Sequence, residues 1–438
     1  VETTLLPIDD IERFKQQALL WANQFPVCCL LDNNNYSNNK HQSTEWKLAV
    51  DALDSISENA GNAFEKLKAF QAGKTNDIFG FFSYELKNEI EQIHTRNPDK
   101  LGFPHLYFFQ PRFVLAIEQN RVRINRNYPE AFNIVEQILN FKPLSKVSTG
   151  ASLKLRTSRE DYLNNVRIIK QKIVDGDFYE MNYCIEEFDD DASINPVYVF
   201  HKLNSIAKAP FSSFFKLNDK FLLCASPERF LKKEGTKLIS QPIKGTVKKG
   251  ASDAENELLK KQLQQNEKER AENVMIVDLV RNDLARSSKP GSVKVEELCG
   301  IYEFETVHQM ISTVTAEMRN DVHFTDAIRN AFPMGSMTGA PKVEVMKTID
   351  EMEDFQRGLY SGSVAYVSPQ GDFDLNVVIR SIFYNSTNKY LSLRAGSAIT
   401  FDSNDEAEWN EVMLKLQALK RSLEVEVKGR GTEDEGRQ

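Results

Sequence analysis

The sequence predicts a sheet-rich α+β fold, and three observations lead there. Short apolar runs bounded by turn-forming residues recur along the chain, as strands do. Stripes of apolar residues at helical spacing, several opened by capping boxes, lie between them. No apolar run approaches the roughly 18–20 residues that would cross a bilayer, so no membrane role is expected.

In chain order, the apolar run over 25–32 ends in an asparagine-rich turn and predicts a buried strand. Residues 78–84 predict a second. Residues 105–109 and 113–117 predict two more, separated by Gln110-Pro111-Arg112. The polar stretch over 143–150 is a plausible seam between a mixed part, 1–150, and a better patterned region, 151–424. Thr157-x-x-Glu160 reads as a capping box for a helix carrying Tyr162, Val166, Ile169 and Ile173 that stops at Gly176. Residues 221–230 and 237–243 predict a hairpin through Glu234-Gly235. Ser252-x-x-Glu255 opens a polar helix, 267–284 forms a helix with an apolar middle, and Ser403-x-x-Glu406 caps a last helix with the stripe Val412, Leu416, Leu419 and Leu423. The charged tail from Lys428 is expected to be disordered.

The 438 residues suffice for a large core. The net charge of −8, without a basic block, argues against nucleic acid as a partner. Five scattered cysteines with no C-x-x-C pair fit reduced thiols of a cytoplasmic protein. The start Val1-Glu2-Thr3-Thr4 lacks a basic segment followed by an apolar one, so no secretory signal is expected. Paired metal-ligand histidines, a phosphate loop and a G-x-S-x-G elbow are all absent, which argues against zinc, nucleotide and serine-hydrolase chemistry.

The chemistry concentrates in a few segments. Pro242-Ile243-Lys244-Gly245-Thr246 puts one lysine in a tight, mostly uncharged turn, and Ser226-Pro227-Glu228-Arg229-Phe230 brings a carboxyl close to it in sequence. A lysine amine becomes a nucleophile when partial burial lowers its pKa, and Glu228 could serve as proton donor. Taken alone, Lys244 reads as a surface lysine and Glu228 as a salt-bridge partner of Arg229; the shared context favours chemistry. Glu269 and Glu272 share one helix face, and Glu408 and Glu411 another, each pair adjoining an apolar stripe. Carboxylates converging from two helices suit Mg²⁺, although solvated helix faces remain an equal reading. The segment Met334-Gly335-Ser336-Met337-Thr338-Gly339-Ala340-Pro341-Lys342 runs into a helix whose free N–H groups suit a carboxylate.

Together these segments resemble the chorismate-utilising enzymes, the family of anthranilate, isochorismate, salicylate and aminodeoxychorismate synthases. The resemblance is strong from about Thr157 to Leu423 and weak before that, chiefly at 80–86. It implies a sandwich of two mainly antiparallel β-sheets flanked by helices. Lys244 and Thr338 are similar to the aminating members. An isochorismate-type lysine on an earlier strand is replaced by Glu180, an extra acid near an anionic substrate.

By this resemblance Lys244 attacks C2 of chorismate, Glu228 protonates the departing C4 oxygen, and ammonia adds at C4. Mg²⁺ would be held by Glu272 and Glu411, directly or with Glu269 and Glu408 through water. Thr338, with Gly396 and Ser397, would meet the ring carboxylate; Tyr366 and Arg380 would grip the pyruvyl carboxylate; His308 would lie near the ring. The segment Ala395-Gly396-Ser397-Ala398-Ile399 departs from the family's Gly-Gly-Gly-Ile loop, and Ser397 and Ala398 would add side chains there. A separate glutamine amidotransferase would supply ammonia. The alternatives are an anthranilate synthase component and a non-catalytic, ligand-sensing partner of an amidotransferase.

Overall fold

The computed structural model describes residues 3–36, 40–41, 45–91, 93–118, 121–125, 133–142 and 150–424. The seam residues 143–149 and the tail from Lys428 lie outside them.

Hydrogen bonding runs unbroken through twenty strands among the described residues, every paired ladder antiparallel, as the resemblance implies. Two long strands, Trp46–Glu58 and Leu106–Glu118, belong to both layers of the sandwich. From their paired middle, one layer passes through Val27–Asp32, Phe211–Leu217, Lys220–Ser226, Ser381–Asn385 and Tyr390–Ile399 to Glu180–Asp189. The other passes through Ile78–Phe82, Ser363–Val367, Phe373–Asn376, Arg229–Glu234 and Lys237–Gln241 to Val307–Glu317. Strands from before and after residue 150 thus pair directly with one another in both layers.

Strand alternation explains the layering. Cys29, Phe215, Leu222 and Phe383 face inward and meet Phe79, Phe81 and Ala365 of the other sheet; the Phe81 and Phe215 rings stand edge-on at 5.1 Å. The alternate residues Leu30, Phe214, Leu223 and Leu393 face outward and are covered by the helices Ile11–Ala22, Arg159–Val174, Pro196–Ala207 and Asp405–Leu423. On the far side of the second sheet, Ile276, Val280 and Leu284 of helix Glu267–Ala285 and Ile328 of helix Phe324–Ala331 close the core. Each such side chain stabilises the fold by about 1.5–3 kcal/mol relative to exposure.

Several elements differ from the sequence reading by local chemistry. Residues 106–118 form one strand, because Pro111 sits beside a register shift where the partner strand carries an extra residue between Ala52 and Asp54. Ser158 and Asn404, not Thr157 and Ser403, cap their helices. Thr157 instead bonds Asp354, and the Ser403 hydroxyl closes back on Thr400 N–H. Ser252 caps its helix as expected. The predicted strand over 221–230 breaks at Pro227-Glu228, and that break places Glu228 at the open end of the hairpin. No helix among the described residues is long and apolar enough to cross a membrane.

Candidate active site

The site lies where the two layers end. Arg229 pairs with Gln241 at the last rung of the hairpin, so Glu228 and the strand Ile243–Lys248 both continue past it. Among the described residues, Ile243–Lys248 is paired only with Val307–Glu317, which leaves its other edge open. Facing that edge is the beginning of Glu180–Asp189, the last long strand of the first layer.

The loop after Met334 holds that strand's beginning in place. Gly339 and Ala340 pair with Met181 and Glu180, and the Thr338 carbonyl accepts from Asn182 N–H at 2.8 Å. Only glycine fits at 339: its φ is +149°, and a Cβ would lie 1.9 Å from the Glu180 carbonyl oxygen. The buried Thr338 hydroxyl donates to the Met334 carbonyl at 3.1 Å.

Across this gap Lys244 Nζ meets Glu180 Oε1 at 2.5 Å, with the lysine side chain 10% and the glutamate 1% exposed. The expectation that burial lowers the Lys244 pKa is not met. Burial does push it down, but Glu180, Glu272 and Glu228 together outweigh that, and the net direction is up. The lysine therefore rests as an ammonium. Glu180, treated in the sequence as a departure, is its direct partner; the one signal for this was a glutamate in an otherwise uncharged strand start.

Burial lifts the Glu228 carboxyl to about 7, opposed in part by Ser336, Lys244 and the Ile243 N–H. A carboxyl near 7 is protonated for part of the time at neutral pH and can donate a proton. A small cavity touching Glu228, Pro242, Gly335 and Ser336 lies beside it.

The four other glutamates come from two helices. Lys268 Nζ lies 3.8 Å from Glu272 Oε1 and 3.7 Å from Glu408 Oε1, bridging them. Burial lifts Glu272 to about 7 and also raises Glu269, and in each case the neighbouring carboxylates add to the rise. Burial would raise Glu411 too, but Lys415, 2.6 Å away, brings it below the usual range. Among the described residues no three His, Cys, Asp or Glu side chains are gathered into a metal cage. The donor set is nevertheless hard oxygen, and the mutual repulsion of its carboxyls is what a divalent cation relieves.

The remaining expected residues divide. Gly396 faces the interior, where a Cβ would lie 2.4 Å from Cys184 Sγ. Its neighbours face the other way: Ala395 packs in the helix-side core, and Ser397 Oγ lies 3.1 Å from Tyr162 OH. By alternation along the strand, Ser397 points out of the cleft, whereas Ala398 shares the face of Gly396. Arg380, half-buried at a φ of +52°, has Tyr360 and Glu411 as its electrostatic neighbours, and burial lowers its pKa. The Tyr366 ring lies under Lys47 Nζ at 3.9 Å and beside Phe79. His308 sits opposite Val247 of the strand that carries Lys244; it is buried, its Nε2 lies 3.1 Å from Asn256 Oδ1, and its charged neighbours are Glu303, Lys260, Lys249 and Glu257.

Residues 26–421 match the model of the chorismate binding enzyme family. The chain is 39% identical over 362 residues to aminodeoxychorismate synthase component 1 of Salmonella typhimurium, covering 81% of this chain and 77% of that one. It is 41% identical over 264 residues to the chloroplastic aminodeoxychorismate synthase of Arabidopsis thaliana, covering 60% of this chain but only 28% of the plant protein. Anthranilate synthase component I from Streptococcus pneumoniae has the same fold, with a TM-score of 0.75 at 22% identity over 88% of this chain and 95% of that one. With a buried lysine and carboxyl at the junction of its two sheets, the chain belongs to the chorismate-binding enzyme family.

Proposed function

We propose that the chain is an aminodeoxychorismate synthase component 1, which replaces the C4 hydroxyl of chorismate with an amino group. The observation that carries this reading is that Lys244 and Glu228, two groups able to supply a nucleophile and a proton, are electrostatic neighbours in a buried gap at the end of the hairpin.

Lys244, once it has given up a proton, attacks C2 of the ring. Both ring double bonds shift and the C4–O bond breaks. Glu228 donates its proton to the departing oxygen, which leaves as water. Ammonia then attacks C4 and Lys244 departs. Two easier displacements replace one hard one. Arg380 and Tyr360 supply a donor pair for a substrate carboxylate, and Gly396 lets backbone come close to one.

Mg²⁺ fits the carboxylates Glu272 and Glu411, with Glu269 and Glu408 behind them. When bound, it would neutralise the substrate's acid groups and polarise the ring system. A glutamine amidotransferase is the proposed source of ammonia. A cytoplasmic site is proposed too; all five cysteines are buried and free, which suits a reducing compartment.

The test is the product spectrum from chorismate, Mg²⁺ and ammonium. Aminodeoxychorismate, which retains the enolpyruvyl ether, is expected. Release of pyruvate with anthranilate would replace this reading by the anthranilate synthase one. Heat stabilisation by chorismate without turnover would replace it by a ligand-sensing role.

A further inference from the structure

The reaction begins with a free amine, yet Lys244 is ion-paired with Glu180 at 2.5 Å. Something must take its proton and hold it close, because the same amine needs a proton again when it leaves the ring. Glu180 is the only side chain given a direct hydrogen bond to Lys244 Nζ among the described residues, at 2.5 Å. Its other oxygen, Oε2, is buried and has no hydrogen-bond partner among those residues. That oxygen is an unused acceptor, so Glu180 has a place to receive a proton without breaking another hydrogen bond. The Glu180 backbone is also fixed on both sides, by Ala340 in the short ladder and by Tyr179 N–H bonded to the Ala340 carbonyl at 2.8 Å.

We propose that Glu180 is a further catalytic residue, the base that takes the proton from Lys244 before attack and returns it when Lys244 departs. This rests on the amination reading above.

The balance closes. The Lys244 ammonium passes one proton to the Glu180 carboxylate. The free amine forms the N–C2 bond as a secondary ammonium; the C4–O pair leaves on oxygen and takes the Glu228 proton, giving water. Ammonia adds at C4 as –NH₃⁺, and the N–C2 electrons return to Lys244. Glu180 gives its proton back to that amine, and the new C4 ammonium gives one to Glu228. Every enzyme group ends as it began, and no proton is exchanged with solvent.

The groups facing Lys244 are Glu180 from its strand, Glu228 from the hairpin end, Glu269 and Glu272 from helix Glu267–Ala285, and Glu411 and Lys415 from helix Asp405–Leu423. Of these, Glu228 is committed to the leaving oxygen. Lys415 is itself a cation bound to Glu411.

The experiment measures adduct formation by rapid quench and intact mass, with chorismate and Mg²⁺ and without ammonia, for the wild type, Glu180→Gln and Glu180→Asp. In the wild type the rate should fall only as Glu228 loses its proton, near pH 7. In Glu180→Gln it should be lower by about a hundredfold at neutral pH, within the usual span for general bases. The deficit against the wild type should then shrink as pH rises, since solvent must now take the proton from Lys244. Glu180→Asp should recover part of the rate, and the chorismate KM should change little in both variants. A Glu180→Gln enzyme with the wild-type rate and pH profile would overturn the proposal. So would a loss that higher pH does not relieve and Asp does not repair, which would make Glu180 a mere brace. Failure of the amination reading is distinguishable, because then the wild type itself yields no aminodeoxychorismate.

Discussion

Gly339 and Glu180 lie so close that a single methyl group on the glycine would overlap the glutamate's carbonyl oxygen. The contact ties the loop carrying Thr338 to the strand that presents Glu180 to Lys244. Gly339→Ala should therefore cost about 1–3 kcal/mol from backbone strain and overpacking. It should also reduce turnover beyond what the loss of folded protein explains. Denaturant unfolding and kcat, measured on the folded fraction, check this.

Glu228 gives the pH dependence a sign. Its folded pKa, about 7, stands above the ordinary 4.5. The folded state thus holds the proton more tightly than the unfolded chain, and stability is lost as pH rises through about 7. Glu228→Gln, which never ionises, should unfold at higher denaturant than the wild type above that pH, by up to about 3–4 kcal/mol on the basis of 1.36 kcal/mol per unit. The two should converge in mild acid. Turnover should be lost in the variant at every pH. A variant less stable than the wild type at alkaline pH would contradict the assignment.

The two tyrosines separate by kinetics. Tyr360 is an electrostatic neighbour of Arg380, and the Tyr366 ring lies under Lys47. Tyr360→Phe and Arg380→Lys should each raise the chorismate KM by roughly tenfold, the effect of about 1.4 kcal/mol from one lost hydrogen bond. Tyr366→Phe should leave KM unchanged. A rise confined to Tyr366→Phe would reverse the assignment.

The glutamate pairs predict a cation effect. Mg²⁺ should raise the melting temperature of the substrate-free protein, since it offsets the burial and the repulsion that now lift Glu272 and Glu269. Glu272→Gln should abolish the rise, and chelation should reverse it in the wild type. No shift in the wild type at millimolar Mg²⁺ would count against the site.

Much of this was legible in the sequence because it is written in local chemistry. Alternating apolar runs disclosed the strands, and glutamates continuing an apolar stripe disclosed Glu408, which is buried beside Val412. Pro227 broke a strand that hydropathy alone would have continued, and so set Glu228 at the cleft. What escaped depends on contacts distant in the chain. Lys244 and Glu180 are 64 residues apart and meet only because two sheets end at the same place. That Ser397 looks away from the cleft depended on which face of the strand looks inward.

The central claim is that the Lys244 amine forms the bond that displaces the C4 hydroxyl. The most direct measurement is the rate of amination by Lys244→Ala with chorismate, Mg²⁺ and ammonium, alongside intact-mass detection of the adduct. The account predicts no aminodeoxychorismate and no adduct in the variant, with chorismate still bound. Amination at the wild-type rate by Lys244→Ala would contradict it.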